Sequence, residues 1–360
     1  SEEHRALARL VTQRSIVLLK NSGQILPLDR HKLKSVAVIG PRADEVLLDW
    51  YSGTPPYTVT PLAGIRAKAG ADFDVIHAAR DLDDLTAAVE AARAADVAIV
   101  CVGSHPTGNA GWAQCPTPSD GKEAVDRRAI ILEQEALIKE VWRANPNTVV
   151  VLISSFPFAI TWTDHHVPAI VHMTHNSQEL GNGLADVLFG DVSPGGRLVQ
   201  TWPRTIEHLP PRLDYDLRNG RTYMYFRAEP LYPFGYGLSY TEFVYSDLRL
   251  SAERISPKDG VTISVDITNT GDRAGDEVVQ LYIQHTNSAV ARPAKALKGF
   301  RRITLLPGET HTVSFALSWD ALAHWNPDAE HFETEAQPVR VLVGSSSADI
   351  RLNGMLELAA

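Results

Sequence analysis

Residues 96–103 read DVAIVCVG, an unbroken apolar run that follows an alanine-rich stretch and ends on glycine. A strand that is apolar on both faces must be covered on both faces, as in a parallel sheet layered by helices; a half-exposed strand would alternate. The neighbouring segments agree. Residues 35–40 (SVAVIG), 148–154 (TVVVLIS) and 169–174 (AIVHMT) are runs of the same kind. Helical patterns lie between them. Residues 81–95 (DLDDLTAAVEAARAA) open with acids, which suit the positive end of a helix dipole. Residues 131–144 (ILEQEALIKEVWRA) put Leu132, Leu137 and Val141 on one face and stop at Asn145-Pro146-Asn147. Ser177 is placed to cap a helix over 177–189. The expected fold of residues 31–203 is therefore α/β, a mainly parallel sheet sandwiched by helices.

Near residue 240 the period changes to two. In 261–269 (VTISVDITN), Val261, Ile263, Val265 and Ile267 alternate with Thr262, Ser264, Asp266 and Thr268. Residues 277–285, 310–318 and 339–344 behave alike, with turn residues at 269–272 and 307–308. Short alternating strands between turns predict an all-β sandwich over 245–360. Between the two units, residues 204–244 are rich in proline, arginine and tyrosine. Aromatics such as Tyr223, Phe226, Tyr232, Phe234 and Tyr236 need surfaces to pack against, so this segment is expected to be an ordered strap rather than a loose linker.

Composition narrows the function classes. The chain is 44% hydrophobic and 21% charged with a net charge of −9, which argues against a nucleic-acid partner. No apolar run is long enough to cross a membrane. The start, Ser1-Glu2-Glu3-His4-Arg5, has neither an initiator methionine nor the apolar core of a signal peptide, and reads as a helix continuing from something upstream. Cys101 and Cys115 are expected to be free thiols. The compartment does not follow from these features; the lean is to a secreted or periplasmic protein. A homo-oligomer is open.

Several sites can be weighed. The turn Gly40-Pro41-Arg42-Ala43-Asp44 has neither a dinucleotide nor a P-loop glycine pattern. His165-His166 and the pair His172 and His175 lack a carboxylate or thiolate to complete a metal set, so ordinary hydrogen-bonding histidines are expected and no cofactor or metal is called for. Ser154-Ser155 follows a strand without a nucleophile elbow. The informative stretch is 103–134, GSHPTGNAGWAQCPTPSDGKEAVDRRAIILEQ. It is a long loop after a parallel strand, where α/β proteins place function. It holds Trp112 and a charge cluster of Asp120, Lys122, Glu123, Asp126, Arg127 and Arg128. An aromatic ring beside carboxylates suits a sugar, whose apolar face stacks while its hydroxyls meet the acids. The bland alternative is a solvated charged loop.

Five segments together resemble glycoside hydrolase family 3. Residues 14–29 (RSIVLLKNSGQILPLD) look like the connector leaving that family's N-terminal barrel, which makes 1–30 a connector, and 34–44 (KSVAVIGPRAD) like the first strand of its second domain. Residues 121–128 (GKEAVDRR) resemble its E-G-x-D-R loop. Residues 179–203 (ELGNGLADVLFGDVSPGGRLVQTWP) and 220–243 (GRTYMYFRAEPLYPFGYGLSYTEF) resemble its two longest signatures. The sandwich is similar to its fibronectin type III-like domain.

The resemblance implies a retaining, exo-acting β-glycosidase. An aspartate of a barrel outside these residues would attack the anomeric carbon, and Glu123 would be the general acid/base. A general acid must hold its proton near neutral pH, so its loop is expected to dock against the barrel and shed water. Asp126 and Arg127 match the D-R of the motif and are expected to support the loop; Trp112 and His105 are candidate substrate contacts near the leaving group. Two departures stand out: Ala124 replaces the usual glycine, and the L-x-L-P-x-x-Q that normally follows is shortened to Ile-Ile-Leu-Glu-Gln. Glu133 and Glu135 are expected to be solvated carboxylates on a helix face. Residues 49–62 (DWYSGTPPYTVTPL) look like the β-xylosidase branch, so the expected substrate is an oligosaccharide ending in β-linked xylose, with a β-glucosidase as alternative. By itself the chain is not expected to be a competent glycosidase. A reading from another class is a non-catalytic structural or carbohydrate-binding module.

Overall fold

The computed structural model describes residues 1–49, 51–78, 83–106, 108, 114–115, 117–127 and 129–359. Its first unit is a six-stranded sheet with strands β1 (Val17–Asn21), β2 (Ser35–Ile39), β3 (Asp74–Ala78), β4 (Val97–Gly103), β5 (Thr148–Ile153) and β6 (Ala169–Met173). Their order is β1-β6-β5-β4-β2-β3. All neighbours pair in parallel except β1, which runs antiparallel along β6 with Val17 opposite His172. Val17–Asn21, read from the sequence as part of a connector, is therefore an edge strand of this sheet.

Helices α1 (Glu2–Ser15), α2 (Pro61–Ala69), α3 (Thr86–Ala94), α4 (Glu135–Ala144), α5 (Thr161–His166) and α6 (Leu180–Leu188) cover it. Strand residues alternate between two cores. Val36, Val38, Ile99, Cys101, Val149, Val151 and Val171 meet Leu62 and Ile65 of α2 and Leu184 and Val187 of α6. Ala37, Ile39, Val100, Val102, Val150 and Leu152 meet Ala91 of α3 and Leu137, Ile138 and Val141 of α4. Burial on both faces is why these strands read as continuous apolar runs.

Two helices start later than their sequence patterns. The first described turn of the 81–95 pattern is at Thr86; residues 79–82 lie outside the described residues. The 131–144 pattern becomes helical at Glu135, because Glu133 and Gln134 are bonded to the preceding loop and strand instead. Ser177 does not cap α6 either. Its hydroxyl accepts from the Glu179 N–H at 3.0 Å and its carbonyl from Leu180 N–H at 3.3 Å, which makes a turn leading into the helix.

The second unit is a β-sandwich of β7 (Phe243–Leu250), β8 (Arg254–Ile255), β9 (Gly260–Asn269), β10 (Gly275–His285), β11 (Ala296–Leu305), β12 (Thr310–Ser318), β15 (Val339–Gly344) and β16 (Ile350–Leu358), with a small hairpin of β13 (His324–Asn326) and β14 (His331–Glu333). One sheet runs β11-β10-β15-β16-β8 and the other β12-β9-β7. Alternation is strict: Val261, Ile263, Val265 and Ile267 point inward against Val279, Leu281, Val313 and Phe315.

The strap fastens one unit to the other through its aromatics. Trp202, at most 1% exposed, meets Tyr232 edge-on at 5.8 Å, and Tyr223 stacks on Phe234 at 4.4 Å and reaches Tyr282 of β10. Below it Arg197 pairs with Glu277 of β10 at 3.0 Å, both nearly buried, and the Tyr245 hydroxyl donates to the other Glu277 oxygen at 2.9 Å.

Candidate active site

In the sheet, β2 pairs with β3 on one side and β4 on the other, so the chain leaves β2 and β4 in opposite directions at their C-terminal ends. That divergence opens a crevice, the usual ligand position in an open α/β sheet. The loop after β2 (40–60) and the loop after β4 (104–134) meet there.

Asp120 is the hub of that meeting, at 5% exposure. Its Oδ1 accepts from the His105 N–H at 2.7 Å and from Arg42 Nη2 at 3.1 Å, and its Oδ2 from the Thr117 hydroxyl at 2.8 Å. Arg42 comes from the β2 loop and also pairs with Glu45. One carboxylate thus joins two loops. A buried charge is tolerable because it is paired and fully bonded. Sequence reading placed Asp120 only in a charge cluster; no pattern in the chain announces its partners.

Beyond Asp120 the chain lies against Phe156. A β-carbon on Gly121 would come within 2.6 Å of that ring, so any larger residue would have to displace it. The chain then folds back in a tight turn, with the Val125 N–H on the Lys122 carbonyl at 3.2 Å. Glu123 and Ala124 are the two tip residues. Glu123 is exposed. Ala124 has φ +64, the left-handed region. A turn with positive φ at its third residue favours glycine, which accounts for the glycine that the family places there. Ala124→Gly is expected to be neutral or to stabilise the protein by up to about 1 kcal/mol in urea unfolding, and Ala124→Val to destabilise it by about 1–2 kcal/mol. The opposite order would mean that the turn is not held in this conformation.

Both flanks of the turn are tethered. Asp126 pairs with Arg212 of the strap at 2.7 Å, on the surface. The Arg127 guanidinium lies over the rings of Phe156 at 4.2 Å and Phe158 at 5.0 Å. Its Nε and Nη2 are buried without a hydrogen-bond partner among the described residues, and burial weakens its hold on its proton. Further on, Gln134 pins the end of the loop to β4: its amide gives to the Gly103 carbonyl at 2.9 Å and takes from the Gly103 N–H at 2.8 Å. Glu133 and Glu135, expected to be solvated, are acceptors instead. Glu133 takes the N–H and hydroxyl of Ser119 at 2.8 and 2.7 Å, and Glu135 those of Thr163 at 3.1 and 2.8 Å.

The β2 loop supplies a contact that sequence reading missed. The Tyr51 hydroxyl donates to Glu123 Oε2 at 2.6 Å. Tyr51 lies in the segment used for substrate branch, but nothing in the chain ties it to a residue so far along. A cleft of about 450 Å³ adjoins, lined by Leu48, Asp49, Ser52, Pro106, His175 and Asn176. His175 is held neutral, its pKa pushed down to about 3 by burial and by the nearby Arg42.

The remaining candidates fall as follows. The His105 ring takes the Gly108 N–H on Nδ1 at 2.8 Å, and burial lowers its pKa. Trp112 and Arg128 lie outside the described residues. His172 binds the Leu152 carbonyl at 3.1 Å and His166 the Trp162 carbonyl at 2.8 Å, each within its own element or sheet. Among the described residues no cluster of three or more metal-ligating side chains occurs, and both cysteines are free thiols.

Comparison with known proteins gives this arrangement a family. Residues 16–240 match the model of the glycosyl hydrolase family 3 C-terminal domain, and 277–347 that of a fibronectin type III-like domain. A beta-xylosidase of Formosa agariphila is 36% identical over 96% of this chain and 49% of its own length; a periplasmic beta-glucosidase of Salmonella typhimurium is 36% identical over 99% and 50%. The crystal structure of a beta-D-glucoside glucohydrolase from Trichoderma reesei superposes with a TM-score of 0.88 and 31% identity, covering 99% of this chain and 56% of that one. The chain spans about half the length of the relatives it matches. By the extent of the model match and by these identities, the chain belongs to glycosyl hydrolase family 3, of which it carries the C-terminal domain and the fibronectin type III-like domain.

Proposed function

We propose that this chain is part of a retaining, exo-acting β-glycosidase that removes terminal β-linked xylose from xylo-oligosaccharides, with Glu123 as general acid/base. A barrel domain carrying an aspartate would be its partner. The aspartate attacks the anomeric carbon while Glu123 gives a proton to the leaving oxygen; Glu123 then takes a proton from the water that hydrolyses the glycosyl ester. The observation that supports this most is the placement of Glu123. It stands at the tip of a turn tethered on both sides, over the crevice between β2 and β4, open to whatever docks there. Asp126 and Arg127 are proposed to hold the loop by the strap pair and the aromatic contacts just described. His105 and Trp112 are proposed as contacts near the leaving group.

Xylose is favoured by the resemblance of residues 49–62 to the β-xylosidase branch, and the Formosa relative bears that name. The several β-glucosidases among the relatives and solved structures support glucose as the second reading. The pocket that separates these two sugars, by the C5 hydroxymethyl that glucose has and xylose lacks, would sit mainly in the barrel. Xylobiose and cellobiose assays on the assembled enzyme, with proton NMR of the first anomer released, test the proposal. The expected result is β-xylose first and a higher kcat/KM for xylobiose. An α-anomer first would exclude the retaining mechanism, and a preference for cellobiose would move the assignment to β-glucosidase.

A further inference from the structure

The turn that carries Tyr51 is built to present it. Asp49 Oδ1 accepts from the Tyr51 N–H at 2.8 Å and from the Ser52 hydroxyl at 2.9 Å, and the Ser52 N–H closes on the Asp49 carbonyl at 3.3 Å. An Asp side chain that bonds the backbone two residues on fixes the local chain without help from a core. Tyr51 itself is 74% exposed, so no packing explains where its ring points. What does fix it is the Glu123 carboxylate, taken from the neighbouring loop at 2.6 Å. That length is typical of an O–H donor on an ionised carboxylate.

We propose that Tyr51 is a positioning residue for the acid/base carboxylate: its phenol holds Oε2 of Glu123 and leaves Oε1 to exchange the proton with the substrate. This rests on Glu123 having the role proposed above. In the first half-reaction the Oε1–H bond breaks as the leaving oxygen gains its proton, the glycosidic C–O bond breaks, and the barrel aspartate forms an ester bond to the anomeric carbon. In the second, an O–H bond of water breaks and the Oε1–H bond forms again, while the water oxygen bonds the anomeric carbon and the ester to the barrel aspartate breaks. The phenol stays a donor throughout. Asp49 on the Tyr51 turn acts on the phenol and is itself acted on by His105 of the neighbouring loop; Lys122 and Asp126, the latter paired with Arg212, flank Glu123 closely in the chain. The Glu123 carboxylate, and secondarily Asp49, make the phenol harder to ionise.

Two measurements test the proposal. The first reads the phenol directly in the assembled enzyme. The phenolate absorbance of Tyr51, isolated as the difference between wild type and Tyr51→Phe, is expected at lower pH in Glu123→Gln than in wild type. Equal titration in both would mean that the bond does not form in solution and would overturn the proposal. The second uses the enzyme assembled with its barrel. Tyr51→Phe is expected to lower kcat on xylobiose about ten-fold, the loss of one charge-assisted hydrogen bond, with little change in KM. The loss is expected to be smaller on an aryl xyloside with an acidic phenol, whose leaving oxygen needs no proton. Equal losses on the two substrates, or an unchanged kcat on xylobiose, overturn the positioning role. Failure of the acid/base reading has its own signature: Glu123→Ala would hydrolyse xylobiose at the wild-type rate while the phenol titration still reported the bond, and the positioning role would fall with it.

Discussion

Asp186→Ala is expected to lower stability by about 1.5–3 kcal/mol, the loss of charge-assisted hydrogen bonds to a buried carboxylate. Asp186 sits in α6, is 1% exposed, and holds three side chains from two other helices. Arg9 grips it with Nε and Nη2, both at 2.5 Å; Gln13 adds a bond at 2.7 Å; Lys68 of α2 adds one at 2.9 Å. Without the carboxylate, Arg9 and Lys68 face each other with no charge between them, although Lys68 keeps Asp191. For an α/β layer of this size the loss corresponds to a fall of several degrees in Tm. Arg9 and Gln13 tie α1 to α6 here, so cleavage of α1 by protease should also quicken. An unchanged melt at neutral pH would mean that the cluster contributes nothing to stability.

The same cluster gives the sign of an acid dependence. Burial alone would push the Asp186 carboxyl up, but the bonds from Arg9, Lys68 and Gln13 outweigh it and hold the group below the ordinary range. A carboxylate with a depressed folded pKa contributes its stability above the unfolded value of about 3.9 and loses it as pH falls through the folded value. The gap between wild type and Asp186→Asn should therefore be full at neutral pH and close only in strong acid. Elsewhere in the sheet unit, His172 and His175, pushed by burial to about 4 and about 3, are neutral when folded and take up a proton on unfolding below about 6.5. Their contribution falls as pH drops from that value, so part of the acid loss precedes that of Asp186.

The layers and the sandwich were legible because burial on one face or two leaves a direct mark in the sequence. Val97–Gly103 is apolar at every position and buried at every position; Gly260–Asn269 alternates in both. The family segments likewise stand out as strings. What was hidden depends on partners far along the chain. Val17–Asn21 is too short and too uniformly apolar at its start to reveal that it turns against β6. Glu133 and Glu135 have the spacing of helix-surface acids, yet each spends its carboxylate on a Ser or Thr of another segment. Tyr51 reaches Glu123 only because β2 and β4 are neighbours in the sheet, an order the sequence does not spell out. Ala124 is the converse case: the departure from glycine was visible in the sequence, while the left-handed backbone that explains the glycine was not.

The second large effect is the one expected at Glu123 in the role proposed for it. General acid/base groups contribute on the order of 10²–10⁴ in rate, and the contribution is greatest where the leaving group is poorest. In the assembled enzyme Glu123→Ala is expected to lose about 10³ on xylobiose, whose leaving oxygen needs a proton. An aryl xyloside with an acidic phenol departs without help, so glycosylation survives and the glycosyl ester accumulates, because no base activates water. Azide needs no base: it attacks the anomeric carbon, displaces the barrel carboxylate and leaves as the β-glycosyl azide.

The most direct measurement is thus turnover of xylobiose and of such an aryl xyloside by Glu123→Ala, with and without azide. The account predicts collapse on xylobiose, partial activity on the aryl substrate, and acceleration by azide with β-glycosyl azide as product. Xylobiose hydrolysis at the wild-type rate would contradict it.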